Sequence, residues 1–138
     1  MKNLILISSL MISSSSLFAG TPTTAVEKSF QQKFPSAKNV SWGKENAKEW
    51  EAEFKLNDTK ISANFLLDGT WVETETEIPV TQLPQPVASS LKKQYPDWQI
   101  TEADKMESLT KGNFYEADIK MGHKKKEVEI KEDGTLMK

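Results

Sequence analysis

The sequence predicts an α+β fold of two tandem repeats, each one helix packed on an antiparallel sheet of about four strands. Three observations predict it. The first is an ordered echo within the chain. Val26, Phe30 and Phe34-Pro35 return as Val87, Leu91 and Tyr95-Pro96; Trp50-Glu51-Ala52-Glu53-Phe54-Lys55 returns as Tyr115-Glu116-Ala117-Asp118-Ile119-Lys120; Asp68-Gly69-Thr70 returns as Asp133-Gly134-Thr135. The offset is 61 at the prolines and 65 at the glycines. A unit of this length is a supersecondary motif too small to bury a sufficient core alone. The second observation is an apolar stripe at helical spacing at the start of each copy, and the third is strict apolar–polar alternation after it.

The elements follow in order. Val26, Phe30 and Phe34 stand at i, i+4 and i+8 on one helical face. Thr24 followed by Glu27 matches a capping box, so the helix is expected to open there. Pro35 closes it, because proline disfavours the helical conformation of the residue before it. Val87, Leu91 and Tyr95 repeat the stripe between Pro86 and Pro96. Strands are expected near residues 40–44 and 100–108. Trp50, Ala52, Phe54 and Leu56, with Tyr115, Ala117, Ile119 and Met121, alternate with charged residues, the pattern of antiparallel strands with one dry and one wet face. Ile61, Ala63, Phe65 and Leu67 form the next strand, matched by Val128 and Ile130. Asn57-Asp58 and Met121-Gly122 sit at hairpin turns, and Asp68-Gly69 and Asp133-Gly134 predict type I′ turns. The last strand of the second copy must be very short. The domain boundaries expected are residues 1–19, 20–79 and 80–138, and the Pro79 to Pro86 join is too short for a free linker, so the units should touch.

Residues 1–19 read as a signal peptide, with Lys2, an apolar and serine-rich stretch from Leu4 to Phe18, and Ala19 before the cut. Ser13 to Ser16 break the apolar run, so it makes a poor spanning helix, and the mature chain is expected to be periplasmic or secreted with no transmembrane segment. The formal net charge of the whole chain is −2, and every basic residue apart from His123 is a lysine. Near-neutral charge without arginine argues against nucleic acid as a partner. The absence of cysteine removes disulfides, thiolate metal sites and thiol catalysis together.

The run Phe34-Pro35-Ser36-Ala37-Lys38-Asn39-Val40-Ser41-Trp42 resembles the "FPxAxxVxW" opening of PepSY-like proteins, and residues 68–78, from Asp68-Gly69-Thr70-Trp71 to Ile78, resemble that family's "DGxWxETExEI" segment. The resemblance extends over the mature chain. It implies a β-lactamase-inhibitor-like fold of two αβ-repeats in a periplasmic or extracellular setting, and it supplies no activity. The second copy departs from the pattern, with a shorter segment after Pro96 and Leu136 in place of tryptophan.

Glu73, Glu75 and Glu77 lie at period 2 on one strand face, which is either a solvated face that discourages edge pairing or a weak divalent-cation site. No calcium-loop motif accompanies them. His123-Lys124-Lys125-Lys126 is a basic hairpin tip, either solubilising or able to meet an acidic or anionic surface. A lone histidine and no GxSxG leave no catalytic set, so no enzyme and no cofactor is expected. Trp71 shares parity with the three glutamates; it is either an exposed anchor or a cover for the sheet end or the second copy. Phe114 has the wrong parity for the core beside Tyr115 and is a second aromatic candidate. The candidate binding residues are thus Trp71, Glu73, Glu75, Glu77, Phe114, Lys124, Lys125 and Lys126, with no catalytic and no metal residue. The expected function is a non-enzymatic module holding a protein or peptide partner in the envelope; the alternative is a structural envelope protein with a cation on the Glu73 to Glu77 strand.

Overall fold

The computed structural model describes residues 20–138, so the expected signal segment lies outside the described residues. Helix α1 (Thr24–Lys33) is followed by β1 (Lys38–Lys44), β2 (Glu49–Leu56), β3 (Thr59–Leu66) and β4 (Trp71–Glu77). A 3₁₀ turn (Val80–Gln82) leads into α2 (Gln85–Gln94), then β5 (Gln99–Ser108), β6 (Gly112–Met121) and β7 (Lys124–Ile130). The seven strands form one antiparallel sheet in chain order. The β4–β5 pair, from Glu73↔Ser108 to Glu77↔Asp104, makes the sheet continuous across the join. The second half contributes three strands rather than four; beyond β7 it adds only the bridge Ile130↔Leu136.

The caps differ by one residue from the expected capping box. Thr23, not Thr24, is the N-cap; its hydroxyl accepts from the Val26 amide and donates to the Leu67 carbonyl at 2.9 Å. That second bond ties the start of α1 to the turn after β3. Both helices end on the aromatic residue before a proline, with nearly the same backbone: Phe34 at φ −128°, ψ 61° and Tyr95 at φ −132°, ψ 60°. These angles avoid the α region that the following proline forbids.

The turns also depart from expectation. The type I′ requirement of positive φ at two successive residues is met at Asn57 (48°) and Asp58 (66°), between Leu56 and Thr59. At Asp68-Gly69 only the glycine has positive φ, 90°, and the Gly69 amide donates to the Leu66 carbonyl at 2.9 Å. This is a longer hairpin loop closed by a left-handed glycine. The Asp68 carboxylate accepts from the Thr70 amide, which holds its pKa below the usual range. Gly134 (φ 88°) and Asp133 repeat the arrangement with Thr135. Gly122 rather than Met121 opens the last hairpin turn, since Met121 pairs with Lys124.

Both helices lie on one face of the sheet, and that face carries two core clusters. In the first, Phe30 meets Trp42 and Phe54 edge-on at 5.1 Å each and stands 6.2 Å from Phe65, with Val26, Trp50 and the small Ala52 and Ala63 around them. In the second, Val87 and Leu91 of α2 pack with Ala103, Ala117, Ile119, Val128 and Ile130. Leu83 from the join is buried in it, and Ile78 and Val80 pack beside it. Among the described residues no helix lies on the other face of the sheet.

Candidate functional site on the helix-free sheet face

Strand alternation sends every second side chain to the helix-free face. Antiparallel register then decides which of them meet. Glu77 pairs with Asp104, Asp104 with Glu116, and Glu116 with Glu129, so four carboxylates form an unbroken row across β4 to β7. A second row lies one step along: Glu102 pairs with Asp118, and Asp118 with Glu127. Like charges directly opposite each other destabilise a sheet, so these rows oppose folding wherever facing partners are both ionised.

Burial sharpens the effect. The Glu116 carboxyl is pushed up to about 9, first by desolvation and then by Glu127, Glu75 and Asp104. Glu75 is pushed up to about 8, again by burial first and then by Asp104 and Glu51. Glu51 rises to about 7 and Asp104 to about 6 for the same leading reason, each partly offset by Lys60. Glu73 and Asp118 are raised less, with Lys111 and Lys125 acting against the shift.

The floor beneath this acid is apolar at one end. Glu75 pairs with Met106, and Met106 with Phe114. Met106 and Phe114 are 3% and 2% exposed, although they face away from both helices and belong to neither core cluster. The Lys111 ammonium stands 5.5 Å from the Phe114 ring centroid and pairs with Glu129. Thioether and ring offer Glu75 no hydrogen-bond donor, which is why its charged form is disfavoured.

The residues that sequence reasoning singled out do not gather at one place. Glu73, Glu75 and Glu77 take their expected face. Trp71 does not follow them, because β3 and β4 slip register: Asn64 pairs with Glu73 but Phe65 with Trp71, leaving Val72 as an extra residue. That bulge turns Trp71 to the helix side, where it packs on the first core cluster. Its Nε1–H donates to the buried Thr74 hydroxyl at 2.9 Å, and the Lys33 ammonium lies 4.1 Å from its ring. Phe114 has the expected parity, yet it is buried rather than presented to solvent. Lys124, Lys125 and Lys126 are exposed on the β7 edge and split between faces. Lys125 acts on Asp118, whereas Lys126 pairs across with Ile119 and lies over Tyr95 on the helix side. Sequence reasoning missed Glu102, Asp104, Glu116, Asp118, Glu127 and Glu129 as site members. Their i, i+2 spacing was visible, but only the register aligns them.

Among the described residues no group of three carboxylate or imidazole side chains is placed to hold a metal ion. Alternate residues on one strand stand about 6.7 Å apart, too far for Glu73, Glu75 and Glu77 to converge on one cation without help from neighbouring strands. Protonated carboxyls on this face can donate hydrogen bonds, and ionised ones can accept from cationic or amide donors. The face is therefore suited to recognition by charge.

Residues 48–138 match the family described as "Putative beta-lactamase-inhibitor-like, PepSY-like". The chain belongs to the PepSY-like family. The PepSY-like chain is also similar in fold to solved structures from Bacteroides. A DUF2874 family protein from Bacteroides ovatus superposes with a TM-score of 0.77 at 21% identity, over 86% of each chain. A BLIP-like protein from Bacteroides fragilis gives 0.75 at 20% identity, over 86% of this chain and 85% of that one. A protein from Bacteroides eggerthii, described among "putative periplasmic proteins", gives 0.78 at 15% identity, over 86% and 88%. No curated protein matches the chain. Among the described residues no helix is long and apolar enough to cross a membrane.

Proposed function

We propose that this PepSY-like chain is a non-enzymatic, exported binding module that holds a cationic segment of a protein or peptide partner against its helix-free sheet face in the cell envelope. The observation that carries this reading is the row Glu77–Asp104–Glu116–Glu129. A sheet loses stability by aligning like charges, and a segment bearing lysine or arginine side chains would relieve the repulsion on docking. The inhibitor-like description of the family and the BLIP-like description of the Bacteroides fragilis protein favour a protein partner. The signal-like start of the chain and the periplasmic description of the Bacteroides eggerthii protein favour export.

The same reading treats residues 20–79 and 80–138 as duplicated units. Matching helix ends at Phe34 and Tyr95, and matching left-handed glycines at 69 and 134, support it.

A ¹⁵N-labelled mature chain titrated with a peptide of alternating lysine and leucine tests the function. The expected result is saturable amide shifts on β4 to β7 that weaken with salt and vanish in a Glu75→Lys, Glu116→Lys variant. Shifts confined to the helices, or none, would remove the reading.

A further inference from the structure

The two halves of the helix side are not equally filled. Trp42 pairs with Ala52, and Ala103 occupies the same register against Ala117. Phe65 pairs with Trp50, and Ile130 with Tyr115. Phe30 and Phe54 likewise correspond in sequence to Leu91 and Ile119. Four aromatic side chains of the first core are thus replaced by leucine, alanine and two isoleucines in the second. Leu83 and Val80 from the join take up part of the lost volume. An open pocket of about 410 Å³ lies against α2, lined in part by Leu91 and Ile119, the counterparts of Phe30 and Phe54 in the first half. Tyr95, Trp98 and Ile100 complete its apolar wall.

The volume falls within the ~300–1,000 Å³ of small-ligand pockets. The rim of the pocket is basic. Lys92 is the charged residue of the lining, and the Lys126 ammonium stands 4.9 Å from the ring centroid of Tyr95. Lys126 reaches this side because it pairs with Ile119 across β6 and β7. The nearby Asp97 is exposed in the turn after Pro96 and is not part of the lining.

We propose that this pocket binds a small amphipathic carboxylate, with its apolar body between Leu91 and Ile119 and its carboxylate at the Lys92 and Lys126 rim. Apolar depth selects a chain or ring, and the two ammonium groups select an anion over a cation or a neutral analogue. The site lies on the helix side of the sheet, so it stands or falls independently of partner binding on the opposite face.

Decanoate and decyltrimethylammonium below their micellar concentrations, and decan-1-ol below its solubility limit, each titrated into the labelled mature protein, test this. Decanoate is expected to shift the Trp98 indole and Ile119 methyl signals saturably. Lys92→Glu with Lys126→Glu is expected to weaken it about tenfold while leaving decan-1-ol unchanged. Ala88→Phe, which places a ring in the pocket, should abolish the response. The lysine pair is exposed, so its variant keeps the test valid if Ala88→Phe impairs folding. No shift with decanoate, equal binding of decyltrimethylammonium, or a folded Ala88→Phe protein that binds as the parent does would each overturn the proposal.

Discussion

Gly69 stands so close to the carbonyl oxygen of Ala25 that a β-carbon on it would lie 2.6 Å away. Gly134 stands in the same relation to the carbonyl of Pro86, also at 2.6 Å. The recurring Asp-Gly-Thr turn is thus pressed against the first turn of a helix in each half. The side chain is excluded twice, by positive φ and by contact with a backbone atom that cannot move aside. The motif recurs because it docks helix to sheet, not because it carries chemistry.

Replacing this glycine separates the two effects. Gly112 also has positive φ, 73°, but nothing lies within 4 Å of a β-carbon there. Gly112→Ala should lose about 1 kcal/mol from backbone strain alone. Gly69→Ala should lose clearly more, because the Ala25 contact adds to the strain. Urea denaturation of the two variants measures the difference.

Trp71 is expected to contribute through its indole nitrogen as well as its area. Trp71→Phe keeps an aromatic ring but leaves the hydroxyl of Thr74, a residue only 5% exposed, without its donor. A loss of about 1–2 kcal/mol is expected, and Trp71→Phe with Thr74→Val should recover part of it. Denaturation of the single and double variants checks the coupling.

Stability should fall as pH rises through neutrality. Glu51, Asp104, Glu75 and Glu116 titrate in the folded protein at about 7, 6, 8 and 9, above the values near 4 of an unfolded chain. Between those limits the folded state holds protons that the unfolded state releases. The stabilisation is therefore complete below the unfolded values and is lost as pH rises through the folded ones. Asp68 and Asp133 act oppositely, because amide hydrogen bonds lower their pKa values and their contribution is lost in acid. Urea midpoints should accordingly be higher at pH 5 than at pH 9, and Glu116→Gln should flatten the slope.

Local pattern made much of the fold legible. The stripes Val26–Phe30–Phe34 and Val87–Leu91–Tyr95 located both helices, and the prolines located their ends. Alternation along residues 50–56 and 115–121 located the dry faces. What stayed hidden depends on pairing between distant segments. Nothing local marks Val72 as the extra residue that turns Trp71 toward the helices. Nor does the spacing of Glu116 and Asp118 reveal that they lie between Asp104 and Glu129, and between Glu102 and Glu127. The pocket against α2 is intermediate. The exchange of Phe30 and Phe54 for Leu91 and Ile119 can be read from the echo, but how far Leu83 and Val80 compensate requires the fold.

The account rests on the helix-free face being acid held without enough opposing charge, and carboxyl-carbon NMR measures this directly. Following the side-chain carboxyls of Glu75 and Glu116 from pH 4 to 10, in the free protein and with the lysine–leucine peptide at saturation, reports each pKa. The prediction is titration at about 8 and about 9 in the free protein, falling toward the ordinary range when the peptide is bound. Ordinary values in the free protein, or raised values that the bound peptide leaves unchanged, would contradict it.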